Sequence, residues 1–180
     1  MDKTTQKTMF SSNKNNWETP QTLFNTLNDL FHFTVDLAAS DTNHKCSKYY
    51  TEQTNGLIQS LEGERVFCNP PYGRLMRSFL QKTANDWSLG LNIFSCFLIP
   101  ARTETKALQN FVFPCASGIF FFNKRIIFEI DGKPMLDKKG RPMPAPFPSM
   151  LAFYNMNSDL FEATKQLLEI QLKMGILVKL

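Results

Sequence analysis

Residues 66–73 have the sequence Val-Phe-Cys-Asn-Pro-Pro-Tyr-Gly, and this stretch decides the fold. The short apolar run at 66–68 predicts a buried strand. The strand must end at the two prolines, because proline lacks the backbone N–H that helices and sheet interiors require. A segment with helical spacing follows at about 75–87, and a continuous apolar run follows at 93–99. A strand, an irregular turn, a helix and a second buried strand are the repeating parts of an α/β fold.

The same alternation of helices and strands extends over the rest of the chain. Helices are predicted at about 20–31, 75–87, 104–111 and 158–173, and strands at 33–38, 66–68, 93–99, 118–122, 126–130, 149–154 and 175–180. Thr19 is the predicted N-cap of the first helix, with Pro20 at its first position. The pair Asp131-Gly132 predicts a hairpin turn, and residues 134–148, with five of the ten prolines, predict an irregular but ordered loop. Continuous apolar strands between helices predict a mostly parallel sheet flanked by helices.

The composition fits one globular domain. The chain has 180 residues, of which 43% are hydrophobic and 20% charged, so it can build one core and has little room for a second. We expect a single domain at 17–180 after a flexible polar segment at 1–16. No apolar run approaches the roughly 20 residues that cross a bilayer, and the N-terminus lacks an export signal. We therefore expect a cytoplasmic protein with no membrane partner.

The cysteines and histidines give no sign of a metal site. Cysteines stand at 46, 68, 96 and 115 and form no Cys-x-x-Cys pair, which argues against a zinc ribbon or a disulfide framework. His32 and His44 have no spacing to a carboxylate that would suit a metal ligand or a general base. We expect no metal.

The tetrapeptide Asn69-Pro70-Pro71-Tyr72 is the one specific motif in the chain. It follows a predicted strand, and ligands in open α/β sheets bind just beyond the carboxyl ends of the strands. The Asn69 side chain and the Pro70 carbonyl offer two acceptors, which together can take both hydrogens of one planar NH2 group. Tyr72 can lie flat against an aromatic ring that carries this amine. The motif favours a site for an exocyclic amine, and a surface turn with a packed tyrosine is the structural alternative.

Basic residues are concentrated in one segment. Residues 124–141 contain six Lys or Arg and only three Asp or Glu, in a chain whose net charge is +4. Such a cluster suits a polyanion, because neutralising phosphates releases counterions. A solvated loop that happens to be rich in lysine is an equally good interpretation of the charge alone.

Further motifs occur in a fixed order. They are Trp17-Glu18-Thr19-Pro20, Asp36-Leu37-Ala38-Ala39, Asn43-His44-Lys45-Cys46, Asn55-Gly56-Leu57 and Cys68-Asn69-Pro70-Pro71-Tyr72-Gly73, followed by 98–103, 118–128 and 145–151. In this set, which spans about 17–154, the chain resembles the small phage-type DNA N-6-adenine methyltransferases, a Dam-like family that uses S-adenosylmethionine. The resemblance implies a Rossmann-like methyltransferase fold and an enzyme of phage or prophage origin in a bacterial cytoplasm. Its implied reaction is direct methyl transfer to the N6 amine of a flipped adenine in double-stranded DNA.

The resemblance also assigns roles to single positions. Asn69, Pro70, Pro71 and Tyr72 are the implied catalytic residues. The implied cofactor-binding residues are Trp17, Thr19, Pro20, Asp36, Ala38, Asn55 and Asn69. Two of these have structural alternatives, since Trp17 could be a packed residue beside a helix cap and Asn55 a turn residue before Gly56. The sequence departs from the wider class of S-adenosylmethionine-dependent methyltransferases at 38–40, where Ala-Ala-Ser stands in place of a Gly-x-Gly loop.

No large target-recognition domain is present, so the segment 124–148 is the candidate for DNA contact. The predicted DNA-binding residues are Arg74, Arg102, Lys124, Arg125, Lys133, Lys138, Lys139 and Arg141. Three other functions stay open: a methyltransferase acting on RNA or on a protein glutamine amide, a non-catalytic nucleic-acid binder, and an unrelated α/β hydrolase. Against the hydrolase, the chain lacks the Gly-x-Ser-x-Gly elbow that carries the nucleophile of such enzymes. The recognition sequence and the oligomeric state do not follow from the residues.

Overall fold

The computed structural model describes residues 17–91 and 94–180, so the segment predicted to be flexible, 1–16, lies outside the described residues. The helices are α1 (Gln21–Phe31), α2 (Arg74–Ser88), α3 (Lys106–Phe111) and α4 (Ser158–Thr164). The strands are β1 (Val35–Asp36), β2 (Lys48–Tyr49), β3 (Arg65–Cys68), β4 (Phe94–Pro100), β5 (Gly118–Phe122), β6 (Glu129–Ile130), β7 (Lys133–Pro134), β8 (Ser149–Tyr154) and β9 (Gly175–Lys179). A single 3-10 turn covers Gly56–Ile58 between β2 and β3.

Seven strands form one sheet in the order β2-β1-β3-β4-β8-β5-β9. The pairs β1–β2, β1–β3 and β3–β4 are parallel, whereas β8 runs antiparallel to both β4 and β5, and β9 runs antiparallel to β5. Five strands, β1 to β5, therefore point the same way. The predicted α/β fold with a mostly parallel sheet flanked by helices is confirmed. β6 and β7 form a separate hairpin.

Each face of the sheet is covered by helices. The face that carries Phe67 packs against the apolar stripe of α1 and against α4, in a cluster rich in phenylalanine. The opposite face, which carries Val66 and Cys68, packs against α2 and α3. Because side chains alternate along a strand, the residue after Cys68 belongs to the α1 face. Asn69 thus leaves the sheet on the side where the segment before α1 lies.

Several predicted elements are shorter than the sequence pattern indicates. The predicted strand 33–38 is reduced to the two residues of β1, although the amides of Thr34 and Leu37 still donate to β3 carbonyls. The predicted strand 126–130 keeps its strand conformation only in β6, because Ile126 and Phe128 hydrogen-bond to the proline-rich loop instead of a neighbouring strand. The predicted helix 158–173 begins as α4 and continues as π-helical turns over Lys165–Gln171.

The prediction that Thr19 caps the first helix is wrong. α1 begins at Gln21, Pro20 precedes it in an extended conformation, and no side chain of that residue caps the helix. The Thr19 hydroxyl is buried and has no hydrogen-bond partner in the described part of the chain. The reason lies far along the chain, since the Gln21 amide donates to the carboxylate of Glu129 at 3.4 Å. A carboxylate from the hairpin thus faces the helix N-terminus, where negative charge is favourable.

Candidate active site

Three strand ends and the loops that follow them enclose a cavity of about 530 Å³. β1, β2 and β3 are parallel, so their carboxyl ends meet at one edge of the sheet. The segment before α1 closes the cavity from the side. Among the predicted site residues, those that line the cavity are Trp17, Thr19, Asp36, Ala38, Asn55, Asn69 and Pro71. Pro20, Pro70 and Tyr72 are not part of its lining.

The backbone holds the Asn69 side chain in one orientation. Its Nδ2 atom donates to the carbonyl oxygen of Trp17 at 2.6 Å. A carbonyl oxygen can only accept, so this contact assigns the NH2 group to Trp17 and leaves Oδ1 as an acceptor. Within the described residues, no group donates to this Oδ1 or to the Pro70 carbonyl. Both acceptors that the motif predicts are therefore unpaired among the described residues.

Tyr72 lies in a group of aromatic rings beside the cavity. Its ring meets Phe147 edge-to-face, with the centroids 5.3 Å apart, and Phe147 makes the same kind of contact with Trp17 at 5.4 Å. The Tyr72 hydroxyl is buried and finds no hydrogen-bond partner among residues 17–91 and 94–180. Burial raises the pKa of this phenol, and the charge of Arg102 opposes the shift. The phenol is therefore neutral at physiological pH, and its orientation is set by packing.

Asp36 is a buried carboxylate that forms no salt bridge with the described residues, although the charge of Lys45 acts to lower its pKa. It is 4% exposed, and its oxygens accept from the backbone amides of Lys45 at 3.0 Å and Ala38 at 3.4 Å. Burial raises the pKa of Asp36 to about 6, and the two backbone hydrogen bonds reduce the shift. A buried charge is costly unless it is paired. The site would therefore gain from a ligand that brings a positive charge to this carboxylate.

The turn at Asn55 is shaped by a close backbone contact. Asn55 adopts a left-handed conformation and its Oδ1 accepts from the Leu57 amide at 3.2 Å. The next residue must be glycine, because a Cβ on Gly56 would lie 2.4 Å from the Leu37 carbonyl oxygen. The structural role that the sequence left open for Asn55 is thus present, and the residue also lines the cavity. Its predicted contact with the cofactor stays a prediction.

Comparison with known proteins identifies the family of the chain. The profile of the family "DNA N-6-adenine-methyltransferase (Dam)" matches residues 6–157. The chain belongs to this family. A curated relative from Escherichia phage T1, named "DNA N-6-adenine-methyltransferase", is 30% identical over 122 residues, which are 64% of this chain and 48% of the phage protein. The chain spans about half the length of that relative. The family resemblance inferred from the ordered motifs is therefore confirmed.

The predicted DNA-binding residues of this Dam-family chain lie on its surface. All eight are exposed: Arg74, Arg102, Lys124, Arg125, Lys133, Lys138, Lys139 and Arg141. Arg102 contacts the aromatic group beside the motif, with its guanidinium carbon 5.9 Å from the centroid of the Phe147 ring that packs on Tyr72. Arg141 differs from the others, because it donates twice to the Asp137 carboxylate at 2.8 and 2.9 Å. This ion pair closes the loop and makes Arg141 less available to a phosphate than its lysine neighbours.

Several residues of the cavity are not predicted by any local sequence signal. Glu52 and Gln53, in the loop after β2, line it, and so do Leu75 and Phe79 from α2. Their contribution depends on how β2 and α2 pack, which local patterns do not reveal. Three further acidic residues also line the cavity, Glu18, Asp41 and Asp131. The first stands inside a motif that the sequence does single out.

Residues 17–91 and 94–180 contain no group of three or more His, Cys, Asp or Glu side chains that could hold a metal ion. In the same part of the chain, no helix is both long and apolar enough to cross a membrane.

Proposed function

We propose that this chain transfers a methyl group from S-adenosylmethionine to the N6 amine of adenine in double-stranded DNA, with the target base flipped out of the helix. The observation that carries the proposal is the Asn69 amide, whose NH2 group is held by the Trp17 carbonyl. An acceptor oxygen is thereby fixed at the end of β3, in the motif that favours an exocyclic amine. Family membership and the name of the phage T1 relative support adenine as the base.

The cavity fits the methyl donor in size and in chemistry. Its volume of about 530 Å³ falls within the range of about 300–1,000 Å³ that is typical of ligand pockets. Asp36 offers a buried carboxylate that forms no salt bridge with the described residues, which suits the donor's ammonium group. Thr19 offers a buried hydroxyl without a partner. When bound, S-adenosylmethionine supplies a methyl group carried on a positively charged sulfur. Trp17, Ala38 and Asn55 complete the set of residues that would hold it.

The motif acts on the amine of the target base. The adenine amino nitrogen is a poor nucleophile, because its lone pair is delocalised into the ring. Acceptance of its two hydrogens by Asn69 Oδ1 and the Pro70 carbonyl favours a pyramidal nitrogen and stabilises the positive charge that develops on it. Fixed orientation of the amine supplies a further part of the rate, since the reaction depends on an aligned approach.

The base must leave the duplex to reach these acceptors. Tyr72 is the proposed stacking partner of the flipped adenine, and its contact with Phe147 fixes the angle of its ring. Arg102, whose guanidinium carbon lies 5.9 Å from the centroid of the Phe147 ring, is exposed and can meet a phosphate next to the target nucleotide. The exposed lysines of the β6–β7 hairpin and the following loop supply the remaining contacts with the DNA backbone.

The substrate class is tested by offering three acceptors with radiolabelled S-adenosylmethionine. These are an unmethylated DNA duplex, an RNA duplex of the same sequence and a peptide that contains glutamine. We expect label in the DNA duplex alone. Label confined to RNA or to the peptide would contradict the proposal, and so would a folded protein that labels none of the three.

A further inference from the structure

Glu18 places a carboxylate at the tip of the β6–β7 hairpin. Its Oε1 accepts from the amide of Asp131 at 3.1 Å, and its Oε2 accepts from the amide of Gly132 at 3.0 Å. Both turn residues have positive φ, 52° and 69°, as a two-residue hairpin turn requires. Hairpin tips usually face water, but this one turns its amides to a side chain that is only 9% exposed. Hydrogen bonds from backbone amides to a carboxylate are among the strong ones.

The backbone of Glu18 extends the same connection. Its amide donates to the Glu129 carbonyl at 3.1 Å, and its carbonyl accepts from the Glu129 amide at 2.9 Å. The segment before α1 thus lies beside β6 like a third strand of the hairpin. Within the described residues no Lys or Arg forms a salt bridge with Glu18. Among the described residues, its carboxylate accepts hydrogen bonds from the turn amides alone.

The residues on either side of Glu18 contact the rest of the site. Trp17 accepts from Asn69 through its carbonyl and packs its ring against Phe128, with the centroids 5.4 Å apart. Thr19 lines the cavity with a buried hydroxyl that has no partner. Three consecutive residues therefore connect the catalytic motif, the cavity and the hairpin. Glu18 and Asp131 line the cavity themselves, so a ligand in the cavity lies against both ends of this hydrogen bond.

We propose that Glu18 is a positioning residue that couples the cavity to the basic hairpin, so that the methyl donor and DNA each strengthen the binding of the other. This inference rests on the proposed function. A donor in the cavity orders the 17–19 segment and, through Glu18, the hairpin tip that precedes Lys133. DNA that grips the hairpin orders the same segment from the other side. The second ligand then binds to a site that is already ordered, and the coupling is equal in both directions.

The test measures four dissociation constants. They are those of S-adenosylhomocysteine with and without duplex DNA, and of the duplex with and without S-adenosylhomocysteine, a product that permits no turnover. In the parent protein we expect each ligand to raise the affinity of the other by the same factor, about tenfold. In Glu18→Ala this factor falls to near one. Glu18→Gln, which keeps a single acceptor oxygen, gives an intermediate factor.

Glu62→Gln is the matched control, since Glu62 is exposed and lies outside the cavity lining. It keeps the full coupling factor. Should Glu18→Ala fail to fold, Glu18→Gln carries the comparison, because the shape of the side chain is preserved. A parent protein that binds both ligands independently, or a folded Glu18 variant that keeps the full factor, would overturn the coupling and leave the proposed function intact. A parent protein that binds neither ligand would overturn the proposed function itself.

Discussion

The two halves of the central sheet are built in different ways. In the antiparallel half, every residue of β4 and of β8 is buried, and phenylalanine rings fill the space beneath them. In the parallel half, β1 and β2 have two residues each and β3 has four. The buried carboxylates of the described chain, those of Glu18 and Asp36, both lie at the cavity edge of this half.

This difference separates stability from chemistry. The long, apolar strands of the antiparallel half form the rigid base of the protein. The short strands of the parallel half end early, so the loops that follow them surround the cavity. Polar groups that are buried there have few partners among the described residues: Asp36 accepts two backbone hydrogen bonds, and the Thr19 hydroxyl has none. Such groups cost free energy of folding, and they persist where a ligand uses them. Substitutions in the antiparallel half should therefore lower mainly the stability of the protein, whereas substitutions in the parallel half should lower mainly ligand binding or methyl transfer.

The largest effect on stability is expected in the antiparallel half. Phe153 is fully buried between Phe31 and Phe94, with ring centroids at 5.3 and 6.4 Å. Phe153→Ala should lower the free energy of unfolding by about 3–5 kcal/mol, through reduced burial and the cavity that remains. Urea denaturation measures this. Ile58→Ala, at a residue that is 77% exposed, should change it by less than about 0.5 kcal/mol. A decrease of under about 1 kcal/mol for Phe153→Ala would show that this half is not the rigid base.

The largest effect on catalysis is expected at Asn69. Asn69→Ala removes the oriented acceptor and should slow methyl transfer at saturating duplex by about 10²–10³-fold, the usual effect of removing a preorganised hydrogen-bonding group. The affinity of this variant for S-adenosylmethionine should change little, because the Asn69 amide is proposed to contact the target base rather than the sulfur of the methyl donor. Single-turnover kinetics and calorimetry separate the two quantities. The matched control is Asn110→Ala, at an exposed position of α3. Transfer at a near-parental rate would contradict the role given to Asn69.

Asp36→Asn should change function and stability in opposite directions. The donor loses a charge-assisted hydrogen bond, so its affinity should fall by about 1.5–3 kcal/mol. Because burial raises the pKa of Asp36 to about 6, the ionised group destabilises the folded protein, and its unfavourable contribution grows as the pH rises from about 4 through 6. Removing the charge should therefore raise the free energy of unfolding of the ligand-free protein at pH 7.5, by at most about 3 kcal/mol.

The same carboxylate predicts a pH dependence of binding. Donor affinity of the parent protein should fall about tenfold between pH 7.5 and pH 5, as Asp36 becomes protonated. In Asp36→Asn this fall should be absent. Calorimetry at several pH values, with thermal denaturation of the same samples, measures both effects. A variant that keeps its affinity, or one that is strongly destabilised at pH 7.5, would show that Asp36 is a structural residue.

The smallest effect is expected on the DNA surface. Lys138→Ala with Lys139→Ala should weaken duplex binding and reduce the slope of log affinity against log salt by about 0.9 for each DNA phosphate that the protein no longer neutralises. Arg141 is left in place because its ion pair with Asp137 holds the loop. Lys179→Ala is the control, since Lys179 pairs with the first residue of β5 and so lies at the opposite edge of the sheet. If the slope of log affinity against log salt does not change, the loop with Lys138 and Lys139 is a solvated surface that does not contact DNA.

Local signals in the sequence predict much of this structure. Apolar runs indicate β4, β5 and β8, and the motif at 69–72 lies at a strand end beside the cavity, as expected. The hairpin turn at Asp131-Gly132 follows from residue types that tolerate positive φ. These features depend on residues that are close in the chain, and the pattern is therefore visible without the fold.

The features that the sequence does not predict depend on distant partners. Glu129 reaches the N-terminus of α1, where Thr19 is the predicted cap. Glu18 binds amides that are 113 and 114 positions away. Glu18 belongs to no periodic pattern and has no spacing to other residues that would indicate this role in the sequence. Only the packing of the hairpin against the first described segment brings these groups together.

Identification of the methylated nucleoside tests the central claim most directly. Unmethylated duplex DNA is incubated with the protein and S-adenosylmethionine, digested to nucleosides and analysed by mass spectrometry. Because Asn69 Oδ1 and the Pro70 carbonyl are unpaired among the described residues and are the proposed acceptors for an exocyclic amine, we predict N6-methyladenine as the product. A methyl group on a ring carbon, as in 5-methylcytosine, or no methylated nucleoside from a folded protein that binds both ligands, would contradict the account.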